Sequence, residues 1–125
     1  MIYIYEKNMK FPLLLDTYGV LLTERKREIL DYYYNDDYSL SEISELTGIS
    51  RQGVRDSIKR AEFQLTEFEE QLGLAQRFYE IKSKLEEIKK NAFEIEQINS
   101  RLYGSKEIDM RVSEIKSLAQ KVADL

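Results

Sequence analysis

The sequence predicts an all-α protein, with a helix-turn-helix domain over residues 1–73 and a helical, coiled-coil-like tail over residues 74–125. Three observations carry this expectation. Apolar residues recur three and four apart along most of the chain, the period of an amphipathic helix. Only one proline, Pro12, interrupts that pattern. The stretch "GISRQGVRDSIKR", Gly48 to Arg60, has the order of a turn followed by the second helix of a helix-turn-helix. With 42% hydrophobic and 34% charged residues the chain is apolar enough to fold around one core.

In chain order, "NMKFPLLLDTYG" predicts a first helix, with Pro12 near its first turn, where the missing N–H is harmless. Gly19 is expected to end it as a left-handed C′ glycine. Thr23 is placed to cap a second helix, "ERKREILDYYYN", with Ile29, Leu30, Tyr33 and Tyr34 at helical spacing, and "NDD" breaks it. Ser39 followed by Glu42 is a capping box, opening a short helix through Thr47 with Leu40, Ile43 and Leu46 facing inward. Gly48 supplies a positive-φ turn and Ser50 caps the next helix. There Val54, Ile58, Ala61 and Leu65 form one apolar face.

The tail is more regular. Leu74, Phe78, Ile81, Leu85, Ile88, Ala92, Ile95, Asn99 and Leu102 alternate four and three apart, with Phe78 and Asn99 both at a positions. After "YGSKE" a second run follows: Ile108, Val112, Ile115, Ala119 and Val122. Two such helices pair as a hairpin or with a second chain. A homodimer through Phe78, Ile81, Leu85, Ile88, Ile95, Asn99 and Leu102 is expected. Asn99 has two readings. In a parallel dimer it sets register; in a bundle within one chain it sits at the edge and Ile98 takes the buried place.

The 23 acidic and 19 basic residues give a net charge of −4, unlike a general nucleic-acid coat protein. Residues 1–73 hold 9 basic and 14 acidic side chains, and residues 74–125 hold 10 and 9. Yet Ser50 to Arg60 alone carries Arg51, Arg55, Lys59 and Arg60 against Asp56, a local +3. If Ile43, Ile49 and Val54 hold the two helices together, Ser50, Arg51, Gln52, Arg55 and Lys59 project from the opposite face. Arginine suits guanine, glutamine suits adenine, and serine with lysine suits phosphate. These residues, with Arg60, are the candidate nucleic-acid contacts. A solvated basic helix face is the plainer reading of the charge alone.

Cysteine and histidine are absent, which excludes disulfides, thiol nucleophiles, the usual zinc sites and imidazole catalysis. The carboxylates of Asp36-Asp37, Glu67 and Glu69-Glu70 fall in a turn and on a solvated helix face. No phosphate loop or nucleophile–base pair accompanies them, so the chain reads as no enzyme and as needing no cofactor or metal. No stretch approaches the roughly 20 apolar residues of a membrane span. The opening "MIYIYEKNMK" lacks a signal peptide's regions, so a cytoplasmic location without membrane insertion is expected. Tyr32, Tyr33, Tyr34 and Tyr38 either stack on unpaired bases or pack with their hydroxyls in water. Three consecutive tyrosines cannot share a face, so Tyr33 and Tyr34 are expected to pack and Tyr32 to be exposed.

"LTERKREILDYYYNDDYSLSEISELTGISRQGVRDSIKRAEFQL" is similar to region 4 of bacterial sigma factors. That implies a three-helix DNA-binding domain of the winged-helix-like class without a wing. From Leu13 to Leu74 the chain more closely resembles the YlxM family of small helix-turn-helix proteins, through "YG-LLT", "DYSLSEI" and "GISRQ-V-D-IKRAE". Genes of that family typically sit beside those of the signal recognition particle. The resemblance therefore implies an accessory or regulatory role in that pathway, with DNA or the particle RNA as ligand. A protein–protein adaptor binding the particle protein or RNA polymerase is the alternative. Two positions depart from the family pattern: Gly53 replaces the usual alanine and Ser57 the usual asparagine. Gly53 reads as drift, or else as room for a ligand to approach the backbone.

Overall fold

The computed structural model describes residues 9–125. The expected helix start at Asn8, and most of the opening "MIYIYEKNMK" read as lacking a signal peptide's regions, lie outside that range. The chain forms two compact units, one ending at Gln76 and one running from Arg77 to Leu125. No strand occurs among the described residues.

The first unit is built on α1 (Lys10–Tyr18), α2 (Glu24–Leu30), α3 (Leu40–Thr47) and α4 (Arg51–Leu72). Helix α4 packs against each of the other three. Its residues Val54, Ile58, Ala61 and Leu65 are buried at the predicted spacing, against Leu14, Leu15 and Tyr18 of α1, Ile29 and Leu30 of α2 and Ile43 of α3. Burying a Val, Leu or Ile side chain contributes roughly 1.5–3 kcal/mol, so the stripe and the side chains it meets together supply the main stabilisation of the unit. Polar ties cross the same interfaces. The Lys26 ammonium donates to the Gln64 side-chain oxygen at 2.9 Å, and the Tyr34 hydroxyl donates to Glu62.

The caps follow the sequence closely. The Thr23 side chain accepts from Lys26 N–H, and Ser39 and Glu42 make both halves of the capping box. Three local expectations need correction. Gly19 is not a left-handed C′ residue; its φ is −54°, and the chain continues through it into a tight turn, Gly19–Leu21. Leu46 is exposed rather than inward. At about 100° per residue it lies roughly 120° round α3 from Leu40, whereas Thr47 falls beside Leu40 and Ile43. Helix α2 runs on into a wide π-type turn, Asp31–Asn35. That turn breaks the α-helical step on which the tyrosine assignment rests, and the tyrosine faces differ from the expectation. Tyr32 packs against the core and stacks on Tyr38 with ring centroids 5.5 Å apart, while Tyr33 is exposed.

Glu69 is the largest departure. It is only 6% exposed, not on a solvated face. Its carboxylate accepts from the Tyr18 hydroxyl at 2.5 Å, from Ala75 N–H at 3.0 Å and from Gln76 N–H at 3.0 Å. The Tyr18 hydroxyl oxygen in turn accepts from Leu74 N–H at 3.0 Å. The two side chains thus satisfy the first amides of α5 (Leu74–Ile98), which starts just after the left-handed Gly73. A carboxylate at a helix start, holding otherwise orphaned N–H groups, is favourable on both dipole and hydrogen-bond grounds.

In the second unit α5 continues into a wide turn, Asn99–Tyr103, and α6 (Lys106–Ala123) returns. The return is antiparallel: Lys116 pairs with Glu96 at 3.4 Å, and the Lys89 ammonium donates to Gln120 at 3.1 Å. Asn99 is not at an edge. It is 1% exposed, and Ile98 is the exposed residue. The Asn99 amide donates to Ser105 O and to Asp109, and its oxygen accepts from Ser105 N–H, at 2.8, 2.9 and 3.0 Å. Its polar groups therefore tie the hairpin turn within one chain.

Glu69→Ala should lower the unfolding free energy by about 3 kcal/mol, because it leaves buried amides and the Tyr18 hydroxyl without an acceptor; urea denaturation followed by circular dichroism checks this. Burial, reinforced by the hydrogen bonds to Glu69 and Glu62 respectively, raises the ionisation of Tyr18 and Tyr34 above the ordinary 10.0. A raised folded-state pKa contributes stability that is fully present below about pH 10 and is lost as pH rises beyond it. Tyrosinate absorbance should show both ionising above pH 10, with Tyr18→Phe and Tyr34→Phe each removing one such step.

Candidate nucleic-acid interface

Local chemistry sets the turn between α3 and α4. Gly48 adopts φ 75°, the left-handed conformation, and its N–H bonds Ser44 O at 2.9 Å. Ser44 Oγ donates to Ile49 O at 2.5 Å, and Thr47 Oγ1 accepts from Ile49 N–H at 3.3 Å while donating to Ile43 O at 2.8 Å. Side chains thus satisfy both polar backbone groups of Ile49 inside the turn. Ile49 packs against the core, as the plug its sequence position suggests. Ser50 is the N-cap of α4, its Oγ accepting from Gly53 N–H at 3.0 Å.

Ser50, Arg51, Gln52, Arg55, Lys59 and Arg60 are all exposed. At about 100° per residue, Arg51, Gln52, Arg55 and Lys59 fall within one arc of roughly 100°. That arc is centred about 100° round the helix from the buried stripe rather than diametrically opposite it. Arg60 lies outside the arc, on another side of α4. The Gln52 amide donates to Asp56 at 3.0 Å, so recognising an adenine requires that bond to exchange. None of the four cations forms an ion pair among the described residues. The first turn of α4 has no acidic residue, although acids are favoured there and Arg51 is disfavoured by the helix dipole. A local cost to the helix at an exposed position with free N–H groups nearby suits an anionic ligand.

Beside this arc lies a shallow groove of about 220 Å³ lined by Tyr33, Leu40, Arg55, Ile58, Lys59 and Glu62. Tyr33 therefore sits next to two of the candidate cations. Sequence periodicity assigned it to the core because it assumed an unbroken α-helix through Asn35.

Gly53 has a reason unrelated to either sequence reading. A Cβ there would stand 2.7 Å from the Ile49 Cγ2 methyl, so the bare backbone makes room for the plug. The position also lies roughly 150° from the centre of the cationic arc, on the far side from an approaching ligand. Ser57 is half-buried and equally remote from the arc.

Of the residues expected at a dimer interface, Leu85 and Asn99 are buried within the chain and present no surface. Phe78, Ile81, Ile88, Ile95 and Leu102 are exposed. Among the described residues no group of His, Cys, Asp or Glu is placed to hold a metal, and no helix is long and apolar enough to cross a membrane.

Comparison with known proteins agrees with the helix-turn-helix fold. Residues 5–104 match the family described as "Putative helix-turn-helix protein, YlxM / p13 like". The chain is similar to a UPF0122 protein of Thermoanaerobacter sp. strain X514, at 62% identity over 78 residues, covering 62% of this chain and 67% of the relative. It is 48% identical over 109 residues to a UPF0122 protein of Acetivibrio thermocellus, covering 87% and 92%. A UPF0122 protein of Clostridium kluyveri is 44% identical over 105 residues, covering 84% and 88%.

Gly48→Ala should cost about 1–2 kcal/mol through the left-handed φ. Gly53→Ala gains about 1 kcal/mol of helix propensity, yet thermal melts should show no rise in Tm, because the added methyl displaces Ile49.

Proposed function

The chain belongs to the UPF0122 family of YlxM/p13-like helix-turn-helix proteins, and from that premise we propose that it is a dimeric, nucleic-acid-binding accessory or regulatory protein of the cytoplasm. The family is a helix-turn-helix family rather than an enzyme family. The observation that carries the reading is the exposed arc of Arg51, Gln52, Arg55 and Lys59, its three cations outside any ion pair among the described residues, at the start of a helix whose turn is rigidly tied. A projecting helix start of this kind suits the major groove of duplex DNA, which admits an α-helix. The deep, narrow groove of A-form RNA does not admit one, so the signal recognition particle RNA would be met by shape and phosphate contacts. Duplex DNA is therefore the first ligand to test and the particle RNA the second.

Ser50 and the arc cations contact phosphate and base edges in this reading, while Arg60 supplies at most a distant phosphate contact. Residues 1–73 have a net charge of −5 despite the +3 of Ser50 to Arg60. The remaining acidic surface lowers non-specific affinity and makes binding salt-sensitive. The same acidity supports a second reading, an adaptor for a basic partner such as the particle protein or RNA polymerase, with the helix-turn-helix as scaffold.

Arg51→Ala with Arg55→Ala should weaken binding to the true ligand about tenfold or more and flatten the salt dependence, with helicity unchanged. A filter-binding titration of random duplex and particle RNA, with a separate titration of the labelled particle protein, all at physiological salt, checks this. Unchanged affinity in a folded double variant would sink the nucleic-acid reading. Capture of the protein partner that survives nuclease treatment and the double substitution would establish the adaptor instead.

A further inference from the structure

We infer that the open apolar face of the α5–α6 hairpin is covered by the same face of a second copy of this chain, closing a four-helix bundle. The inference rests on the dimeric part of the proposed function and is independent of which ligand α4 binds. It takes the form of a bundle, which the width of the apolar stripe favours, rather than an isolated two-stranded coil.

The heptad positions separate into layers. Every seventh residue from Leu85, namely Leu85, Ala92 and Asn99, is buried, as are Val112 and Ala119 on α6. These form the seam inside the hairpin. In an antiparallel pair the positions flanking that seam fall on matching sides of the two helices. On one side the flanking residues are polar and already joined across the hairpin: Lys89 to Gln120 and Glu96 to Lys116. On the other side stand Ile88, Ile95 and Ile98 of α5 and Ile115, Leu118 and Val122 of α6, each 41–53% exposed. Ile81 and Leu102 extend the strip along α5.

Area and charge favour a second copy as the occupant. At about 80 Å² of exposed side chain per residue, the strip amounts to roughly 600–700 Å², close to the ~800 Å² that each partner buries in a standard interface. An exposed apolar strip of that size is larger than monomers ordinarily carry. Residues 77–125 hold 10 basic and 9 acidic side chains, a net charge of only +1, so repulsion between two copies of the unit is small. A two-fold contact needs one self-complementary patch, and a flat row of Ile, Leu and Val meets that condition. Asn99 supports the geometry: its donors and acceptor are engaged at Ser105 and Asp109, leaving nothing to pair with an Asn99 mate in a parallel coil.

The test uses the full chain. Sedimentation equilibrium should show a dimer, and Ile88→Glu with Ile95→Glu should weaken it about a hundredfold with helicity unchanged. The chain has no cysteine, so single thiols report burial directly. In Ile95→Cys, maleimide labelling should slow about fivefold or more between roughly 1 and 100 µM protein, while labelling of Ser83→Cys, on the far side of α5, should not change. If the double-glutamate variant unfolds, the cysteine pair decides alone. A monomer at roughly 100 µM, a dimer untouched by the substitutions, an open-ended assembly, or equal labelling of both thiols would overturn the inference. A monomer that still binds duplex would overturn this inference and leave the nucleic-acid reading standing.

Discussion

Everything in the first unit depends on one stripe of α4. Val54, Ile58, Ala61 and Leu65 are the surface on which α1, α2 and α3 meet. Because a helix advances about 100° per residue, burying those four also decides what every other α4 side chain can do. Arg51, Arg55 and Lys59 are held in one exposed arc as a direct consequence. Arg60 is carried away from them, and Gly53 is brought beneath Ile49. The cationic face and the core are two readings of one periodicity, so neither can move without the other.

Buried polar groups then join this helix to what flanks it. At its start, Ser44, Thr47 and Ser50 satisfy the turn's backbone and leave the cations unencumbered. At its end, Glu69 and Tyr18 hold the first amides of α5. Asn99 does the same service in the second unit, tying the turn between α5 and α6. In each case a polar side chain with several partners stands where the backbone would otherwise lose its hydrogen bonds on burial. Such groups are costly to leave half-satisfied, and they fix turn geometry more narrowly than apolar packing does.

Much of the fold was legible because its determinants are local. Thr23, Ser39 with Glu42, Gly48 and Ser50 act within four residues of themselves, and a cap is recognisable from spacing alone. The exposed cations were legible for the same reason, once the apolar stripe of α4 was placed. Where a residue's role depended on distant partners, spacing failed. Glu69 looked like one more acid on a solvated helix, since nothing nearby in sequence announces Tyr18. Tyr32 and Tyr33 exchanged places because a π-type turn changes the angular step, and that turn leaves no compositional mark.

The heptad run shows the division most clearly. The amino-acid sequence by itself determined that α5 and α6 are helical, that each carries an apolar stripe, and that Ser50 to Arg60 is a capped cationic helix start. Periodicity and capping are properties of a few consecutive residues. Only the tertiary structure decided which part of the stripe closes inside the hairpin and which stays open. It also decided that Asn99 serves a turn, and that Gly53 yields space to Ile49. A helical stripe is wider than one partner helix can cover, so its division depends on how the chain returns on itself. That is a property of the packed chain and not of any short segment within it.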